Sequence, residues 1–312
     1  MISRAKAIEI CAENFPNGPE QLAAHLNVTV GRSPLQGVEG WCVRGVRTVI
    51  RINSASSTSR QRFTLAHELA HLVLGTEPDI AIEPFRSNNR EERDADQLAS
   101  EFLIPTDELS RHVRNELPID ARTLERLAKT ANVSPVMAAC RVVNATDELG
   151  LQNAAVVFFV DGSERWRYSH GLTFDEQSAA ELLSEALANK PNPVRENNRD
   201  GNVIVGSIID AQVYQVLLIQ LLSEDTASQK TREERIGALA EHLFGDEQSF
   251  RQSVAASLGI VKQKCHGQSL AQAVAHFESN YLGRKYTGVR EAKLRSASGR
   301  RYVRLYLERW FS

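Results

Sequence analysis

The chain has 312 residues, of which 42% are hydrophobic and 24% are charged, and its formal net charge is −2. These values are ordinary for a globular protein of two or three domains, and they exclude a chain that needs disulfides to compensate for a small core. The net charge of the whole chain is close to zero, so it does not indicate a nucleic-acid or membrane partner. No run approaches about 18 apolar residues and the N-terminus has no apolar signal segment, so we predict a cytoplasmic protein without a membrane span.

The cysteines give a second exclusion. Their four positions lie far apart and form no CxxC pair, which excludes a Cys-rich zinc finger and argues against a disulfide framework. One thiol can still occupy the open position of a metal site and silence it. Cys42 and Cys265 are the two candidates for such a switch, and the alternative for each is an ordinary thiol without a function.

The first segment predicts a mixed α/β domain. Apolar residues at helical spacing indicate a helix over residues 3–14 and another that begins at Gly18. The period then changes, because β-branched and aromatic residues form short stretches that predict strands of a small sheet. These stretches are 28–30, 40–43 and 46–52.

Two longer helices follow the predicted sheet. A Ser/Thr-rich run favours the start of a helix that extends from about residue 59 to residue 74 and ends at Gly75. Residues 76–89 contain two prolines and no period, so they predict a loop. A second helix extends from about residue 89 to residue 103 and is stopped by Pro105.

Residues 121–143 predict a helix-turn-helix unit, with a tight turn that ends at the N-cap residue Ser134. Such a unit could bind duplex DNA, and Arg141 and Asn144 are the chief candidates for contacts with base edges. A packing module or a surface that docks a repressor is the favoured alternative, because the second helix offers so few polar side chains.

The composition shifts after Leu149. Asp161-Gly162 is a hairpin signal, and it lies between two predicted strands at 155–160 and 165–168. The elements that follow are predicted as a helix over 174–187, strands over 203–208 and 213–222, and helices to about residue 279.

His67, Glu68 and His71 form an HExxH motif in the helix that ends at Gly75. One helical turn separates the histidines, so both imidazoles can bind one zinc ion, and Glu68 lies beside the metal where it can take a proton from water. The flanking residues are apolar on nearly all sides of the helix, which predicts that the helix is buried. Burial of two histidines and a glutamate costs free energy unless they are paired or bind a metal, so their presence indicates a functional role. The alternative is a structural helix with two satisfied histidines.

A third protein ligand is required, and Glu92 is the best candidate because it lies on the next helix, 21 residues after His71. Asp96 is one turn further on the same face and is predicted to accept the second N–H of a ligand histidine. Glu91 is the rival ligand. A further alternative for Glu92 is a solvated position at the start of a charged helix.

Three motifs together carry a family resemblance. The run RFTLAHELAHL at 62–72, followed by ExxAD at 92–96 and AxxFLIP at 99–105, resembles the ImmA/IrrE metallopeptidases over residues 1 to about 145. The resemblance implies a zinc endopeptidase with Glu92 as the third ligand. It also implies a helix-turn-helix repressor as the substrate, whose cleavage releases transcription in bacterial stress responses and in defence against mobile elements.

In IrrE-type members, the C-terminal position holds a GAF-like sensor domain, and the strand–helix–strand pattern here is compatible with one. We therefore predict an α+β protein with a zinc-peptidase-like domain at 1–118, a helix-turn-helix segment at 119–147 and a GAF-like α/β sensor domain at 150–312. The expected function is a regulatory zinc metallo-endopeptidase. The alternatives are a non-proteolytic DNA- or repressor-binding regulator with a structural metal site, and a toxin–antitoxin component that acts by binding a partner.

The last 31 residues are basic, with nine Arg or Lys and only two Glu. Basic groups can follow phosphates and aromatic rings can stack on bases, so this tail predicts binding of single-stranded DNA that activates the peptidase. The alternative is a strand with a solvated basic face. The interleaved aromatic residues are Tyr286, Tyr302, Tyr306, Trp310 and Phe311.

Overall fold

The protein forms two compact units, Met1–Gln229 and Lys230–Ser312. This division, after residue 229, does not test the predicted domain limits at 118, 147 and 150. Those limits stay predictions. Most of the predicted loop at 76–89 lies outside the described residues. The computed structural model describes residues 2–77, 89–113, 116–149, 151, 153–190, 192–197, 202–211 and 214–311.

Unit 1 begins with the predicted helices and the predicted three-stranded sheet. The strand order is β1-β3-β2, with β1 parallel and β2 antiparallel to the central β3. Both β2 and the central β3 contact the helix that carries the HExxH motif. The elements are α1 (Arg4–Glu13), α2 (Gly18–His25), β1 (Thr29–Ser33), β2 (Gly40–Val43), β3 (Val49–Asn53), α3 (Thr58–Leu74) and α4 (Arg90–Leu103).

Local signals fix the two helices that matter most. The Ser57 side chain caps α3 by accepting from the Arg60 backbone N–H, and Gly75 ends α3 with a φ of 74°. That left-handed conformation carries little strain only in a residue without a Cβ. The Asn89 side chain caps α4 in the same way, by accepting from the Glu91 N–H at 2.9 Å.

The β2 strand and α3 come into close contact at Gly40. A Cβ at this position would lie 2.5 Å from Cγ2 of Thr64 and 2.8 Å from the carbonyl oxygen of Arg51. Behind this contact, α3 and α4 pack against each other through fully buried residues such as Leu69 and Leu98. The two helices are therefore held rigidly by their apolar faces, which leaves their polar side chains in fixed positions.

The predicted helix-turn-helix unit is present, but its second helix is buried. All residues from Met137 to Val143 are shielded from solvent, and Arg141 uses its guanidinium to donate to the Ile104 carbonyl at 2.9 Å and to the Thr106 hydroxyl at 2.9 Å. This helix cannot enter a DNA groove in that position, so the packing alternative is favoured. The helices of this part are α5 (Thr106–Val113), α6 (Ala121–Ala131), α7 (Pro135–Asn144) and α8 (Thr146–Leu149).

A five-stranded sheet completes unit 1. Its order is β5-β4-β8-β7-β6, and all of its described neighbours pair antiparallel. The predicted hairpin is present, with positive φ at Asp161 and Gly162. The GAF-like assignment of this region is not confirmed. The elements are β4 (Asn153–Val160), β5 (Ser163–His170), α9 (Glu176–Ala188), β6 (Val194–Asn197), β7 (Asn202–Ala211), β8 (Tyr214–Ser223) and α10 (Glu224–Ala227).

The sheet and the N-terminal part of unit 1 share one core. One sheet face packs on α9 through residues such as Val157 and Leu182, while Val156 and Leu218 on the other face join the core that contains α3 and α4. A buried side chain of the sheet also forms hydrogen bonds with the backbone of Ile119. The Gln220 side-chain amide accepts from the Ile119 N–H at 2.9 Å and donates to the Ile119 C=O at 2.8 Å.

Unit 2 is helical in its described residues. The interpretation of the tail as a strand is wrong, because buried positions recur at helical spacing: Gly299, Tyr302, Val303 and Leu307 lie on one face of the last helix. The rings of Phe250 and Phe277 belong to the same core. The helices are α11 (Arg232–Phe244), α12 (Gln248–Lys264), α13 (Leu270–Tyr281), α14 (Gly288–Arg295) and α15 (Ala297–Leu307).

Among the described residues, every helix is too short or too polar to cross a bilayer.

Candidate metal centre

The two histidines of the motif and one carboxylate from the next helix converge on a single point. His67 and His71 lie one turn apart on α3, and Glu92 lies in the first turn of α4. The two histidine Nε2 atoms are 3.1 Å apart. Glu92 places Oε2 at 3.2 Å from Nε2 of His67 and Oε1 at 3.3 Å from Nε2 of His71.

These separations are close to those between neighbouring ligand atoms around tetrahedral zinc. A tetrahedral zinc site with bonds of about 2.0–2.1 Å has ligand atoms separated by roughly 3.3–3.4 Å. The three measured distances are 3.1, 3.2 and 3.3 Å. Two imidazoles and one carboxylate are also the donor set that zinc favours at catalytic sites, where a fourth position stays open. The residues therefore fit the implied metal.

Each histidine is oriented by a second contact at Nδ1. Asp96, one turn after Glu92 on α4, accepts from Nδ1 of His67 at 2.9 Å. Because a carboxylate accepts only, this contact leaves Nε2 of neutral His67 with its lone pair directed at the shared point. The corresponding partner of His71 is the Thr76 hydroxyl, at 2.7 Å from Nδ1.

The site is closed on one side and open on the other. The side chain of His71 is fully buried, whereas that of His67 is 16% exposed. Burial lowers the pKa of His67, but the hydrogen bonds to Asp96 and Glu92 outweigh burial and raise this pKa to about 9. For His71, burial and the nearby His67 charge lower the pKa to about 4. Any proton in the metal-free cluster is therefore held by His67.

Glu68 lies beside the triad in a buried position, with 4% of its surface exposed. Burial raises its pKa to about 7, and the negative charge of Glu92 acts in the same direction. Its Oε2 atom is shielded from solvent and has no hydrogen-bond partner among the described residues. A carboxyl group with a near-neutral pKa and a free acceptor atom is suited to general base catalysis.

The structure separates the two rival glutamates. Glu92 is 2% exposed and reaches both histidines, whereas Glu91 is exposed to solvent. Of the candidate thiols, Cys42 is half-buried on β2 and Cys265 is buried in unit 2. Neither Thr76 nor Arg44 belongs to a motif in the sequence, and the Arg44 guanidinium donates to the His71 carbonyl at 3.1 Å. The contact of Arg44 spans 27 positions, whereas the hydroxyl of Thr76 reaches His71, five positions earlier, at the end of α3.

Residues 23–143 match the family model described as the IrrE N-terminal-like domain of peptidase family M78. This part of the chain is similar to that domain. The match runs from α2 to α7 and includes all three residues of the metal triad. The resemblance to the ImmA/IrrE family is thereby confirmed over these residues, and the match is consistent with a metallopeptidase-type site.

One solved structure similar to this chain is described as a Mycobacterium tuberculosis transcriptional regulator. The two are 15% identical, with a TM-score of 0.47, and the match covers 69% of this chain and 74% of the other. A likeness at this level carries no statement about function. No curated protein matches the sequence at a significant level.

Proposed function

We propose that this protein is a regulatory zinc metallo-endopeptidase in which His67, His71 and Glu92 hold the metal. The convergence of three residues carries this proposal, because the two Nε2 atoms are 3.1 Å apart and each lies 3.2–3.3 Å from one oxygen of Glu92. Lone pairs on two imidazoles and a carboxylate repel one another unless a proton or a cation lies among them. The family match over the same residues supports the choice of zinc and of peptide hydrolysis.

Bound zinc would supply Lewis-acid chemistry, which polarises a carbonyl group and lowers the pKa of water to about 7. Glu68 would accept the proton of the attacking water and deliver it to the leaving amine, because its unpartnered Oε2 atom can receive that proton. Asp96 would hold His67 in the tautomer that binds metal through Nε2. The substrate would enter from the side of His67, since His71 is fully buried.

The substrate we propose is a helix-turn-helix repressor, cleaved in a stress or defence response. Family resemblance supports this choice. The non-proteolytic alternative is a regulator that binds DNA or a repressor. The burial of α7 argues against DNA binding through the helix-turn-helix segment, because Arg141 is engaged inside the protein.

For the C-terminal region, we propose a sensor role. Family resemblance supports this choice, since IrrE-type members hold a GAF-like sensor domain at the C-terminal position, and this region forms a five-stranded sheet with α9 on one face. The proposal of single-stranded DNA as a signal rests on the exposed cations of α15, Arg300, Arg301 and Arg304. Base stacking contributes less than the sequence indicates, because three of the five aromatic residues of the tail are buried: Tyr286, Tyr302 and Phe311.

Glu68→Gln tests the enzyme proposal. The full-length protein is incubated with the helix-turn-helix repressor encoded beside its gene, with and without zinc and single-stranded DNA. We expect zinc-loaded wild type to cleave the repressor and Glu68→Gln to cleave at least about 100-fold more slowly, because the general base is lost. Zinc content, measured by elemental analysis, should be the same in both proteins. Tight repressor binding without cleavage by the wild type would favour the non-proteolytic regulator.

Glu92→Gln and Glu91→Gln form a matched pair for the metal arm of this experiment. Both residues lie in the first turn of α4, but only Glu92 contacts the histidines. We expect Glu92→Gln to lose zinc on dialysis and Glu91→Gln to retain it. Equal retention by both variants would remove Glu92 from the ligand set.

A further inference from the structure

We propose that Thr76 is a positioning residue for the metal site. Thr76 fixes the tautomer and the ring orientation of His71, and Arg44 holds Thr76 in place. The inference rests on the proposed function, since it assigns a role toward the same zinc ion. Its basis is the 2.7 Å contact between the Thr76 hydroxyl and Nδ1 of His71. The sequence places Thr76 outside the HExxH motif, beyond the end of the helix.

A hydroxyl group is ambiguous toward a histidine, because it can either donate or accept. If the Thr76 hydroxyl accepts from Nδ1–H, the Nε2 atom of His71 keeps its lone pair for the metal. If the hydroxyl donates, Nε2 carries the proton instead and cannot bind zinc. The Nε2 atom of His71 faces Glu92 and His67 at 3.3 and 3.1 Å, so metal binding selects the accepting role.

The backbone brings this hydroxyl back toward the helix. Gly75 turns the chain with a φ of 74°, and the N–H groups of Gly75 and Thr76 both donate to the His71 carbonyl, at 2.9 and 3.1 Å. Thr76 is thus bound to the backbone of the same residue whose ring it orients. A residue five positions after His71 reaches its ring only because the helix ends in this way.

Arg44 holds the turn from outside. It follows β2, and its guanidinium donates to the carbonyl oxygens of both His71 and Thr76. It also pairs with Glu77 at 3.3 Å. The edge strand is therefore joined to the turn that places Thr76. Asp96 orients His67 from α4, while Thr76 and Arg44 orient His71 from β2 and the end of α3.

Thr76→Val and Thr76→Ser separate this role from a purely structural one. Valine keeps the shape and loses the hydroxyl, whereas serine keeps the hydroxyl. Zinc affinity of the full-length protein is measured by competition with a chromogenic chelator, and cobalt-substituted samples report ligand geometry by their visible absorption. We expect Thr76→Val to weaken zinc binding by about 10–100-fold and to change the cobalt spectrum. Thr76→Ser should restore both values to near the wild-type level.

Thr130→Val is the matched control, because Thr130 on α6 is exposed and bonds only the Arg126 carbonyl among the described residues. It should bind zinc as the wild type does. An unchanged zinc affinity and cobalt spectrum in Thr76→Val would overturn the inference. Suppose that wild-type protein binds zinc, that Thr76→Val weakens zinc binding, and that no repressor is cleaved. The inference then stands and the proposed peptidase function fails. If wild-type protein binds no zinc, both fail.

Discussion

At the scale of single residues, burial near the metal centre controls which groups can react. Cys42 on β2 is half-buried, and burial raises the pKa of its thiol to about 11, with the charge of Glu68 acting in the same direction. Arg44 lowers this pKa but does not offset the other two effects. A thiol that stays protonated at neutral pH reacts slowly with oxidants and alkylating agents. In the metal-free protein, the environment of Cys42 therefore disfavours the thiolate that the zinc-blocking switch requires.

The rate at which Cys42 is alkylated should rise with pH. Alkylation requires the thiolate, so we expect slow labelling of native protein at pH 8 and a rate that rises about tenfold per pH unit toward pH 11. Peptide mapping after iodoacetamide treatment measures the rate, and Cys42→Ser identifies the signal. Cys11, whose pKa burial raises to about 12, is the internal control and should remain unlabelled at pH 8. A Cys42 rate that is already maximal at pH 7 would contradict this reasoning.

At the scale of secondary-structure elements, short-range signals predicted most of what carries the site. The cap residue Asn89 and Gly75 mark helix ends that do not depend on tertiary contacts. Since α3 and α4 follow from such signals, the faces that carry His67 and Glu92 follow from helical spacing. Helical spacing does not show that the side chains of His67 and Glu92 meet in space. The sequence supported Glu92 as a ligand through its place on the next helix and through the family resemblance.

Two alternatives that the sequence left open are decided by the fold. The strand interpretation of the basic tail is wrong, because Tyr302, Val303 and Leu307 recur at helical spacing and lie on one buried face of the last helix. Arg141 resembled a residue for base contacts, but its carbonyl partner Ile104 is 37 positions away. Arg44 was missed because its partner His71 is 27 positions away, whereas Thr76 was missed because its hydroxyl reaches His71, five positions earlier, through the turn that ends α3.

One such long-range contact should contribute measurably to stability. The Gln220 amide satisfies both the N–H and the C=O of buried Ile119, and Ser207 donates to the same carbonyl at 2.8 Å. Gln220→Leu leaves the N–H without that partner, so we expect unit 1 to lose about 1–3 kcal/mol of unfolding free energy. Urea denaturation followed by circular dichroism measures the change. Ser207→Ala should cost less, because the carbonyl keeps its bond from Gln220.

Gln215→Leu is the control on the same strand, since the Gln215 amide donates to the exposed Asp210. Its effect should be no more than about 0.5 kcal/mol destabilising, because Leu also removes the buried Oε1 atom of Gln215, which has no hydrogen-bond partner among the described residues. A loss in Gln220→Leu no larger than that of the control would show that the link at Ile119 contributes nothing to stability.

At the scale of the whole molecule, the metal centre and the C-terminal helices depend on different cores. The core around α3 and α4 continues into the five-stranded sheet, whereas the core of unit 2 consists only of residues after 230. Cores that share no residues unfold as separate cooperative units unless an interface couples them. The affinity for zinc should therefore depend on unit 1 and be insensitive to packing in unit 2.

Phe277→Ala in the full-length chain tests this separation. Phe277 is fully buried in the core of unit 2, so its truncation should reduce the stability of that unit by about 3–5 kcal/mol. We expect urea unfolding to show an earlier transition for unit 2, while zinc affinity by chelator competition equals that of the wild type. Leu98→Ala, which opens a cavity in the core on the helix that carries Glu92, is the positive control and should lower both stability and zinc affinity. Loss of zinc affinity in Phe277→Ala as large as in Leu98→Ala would mean that the helical unit supports the metal centre directly, and that the two cores act as one cooperative structure.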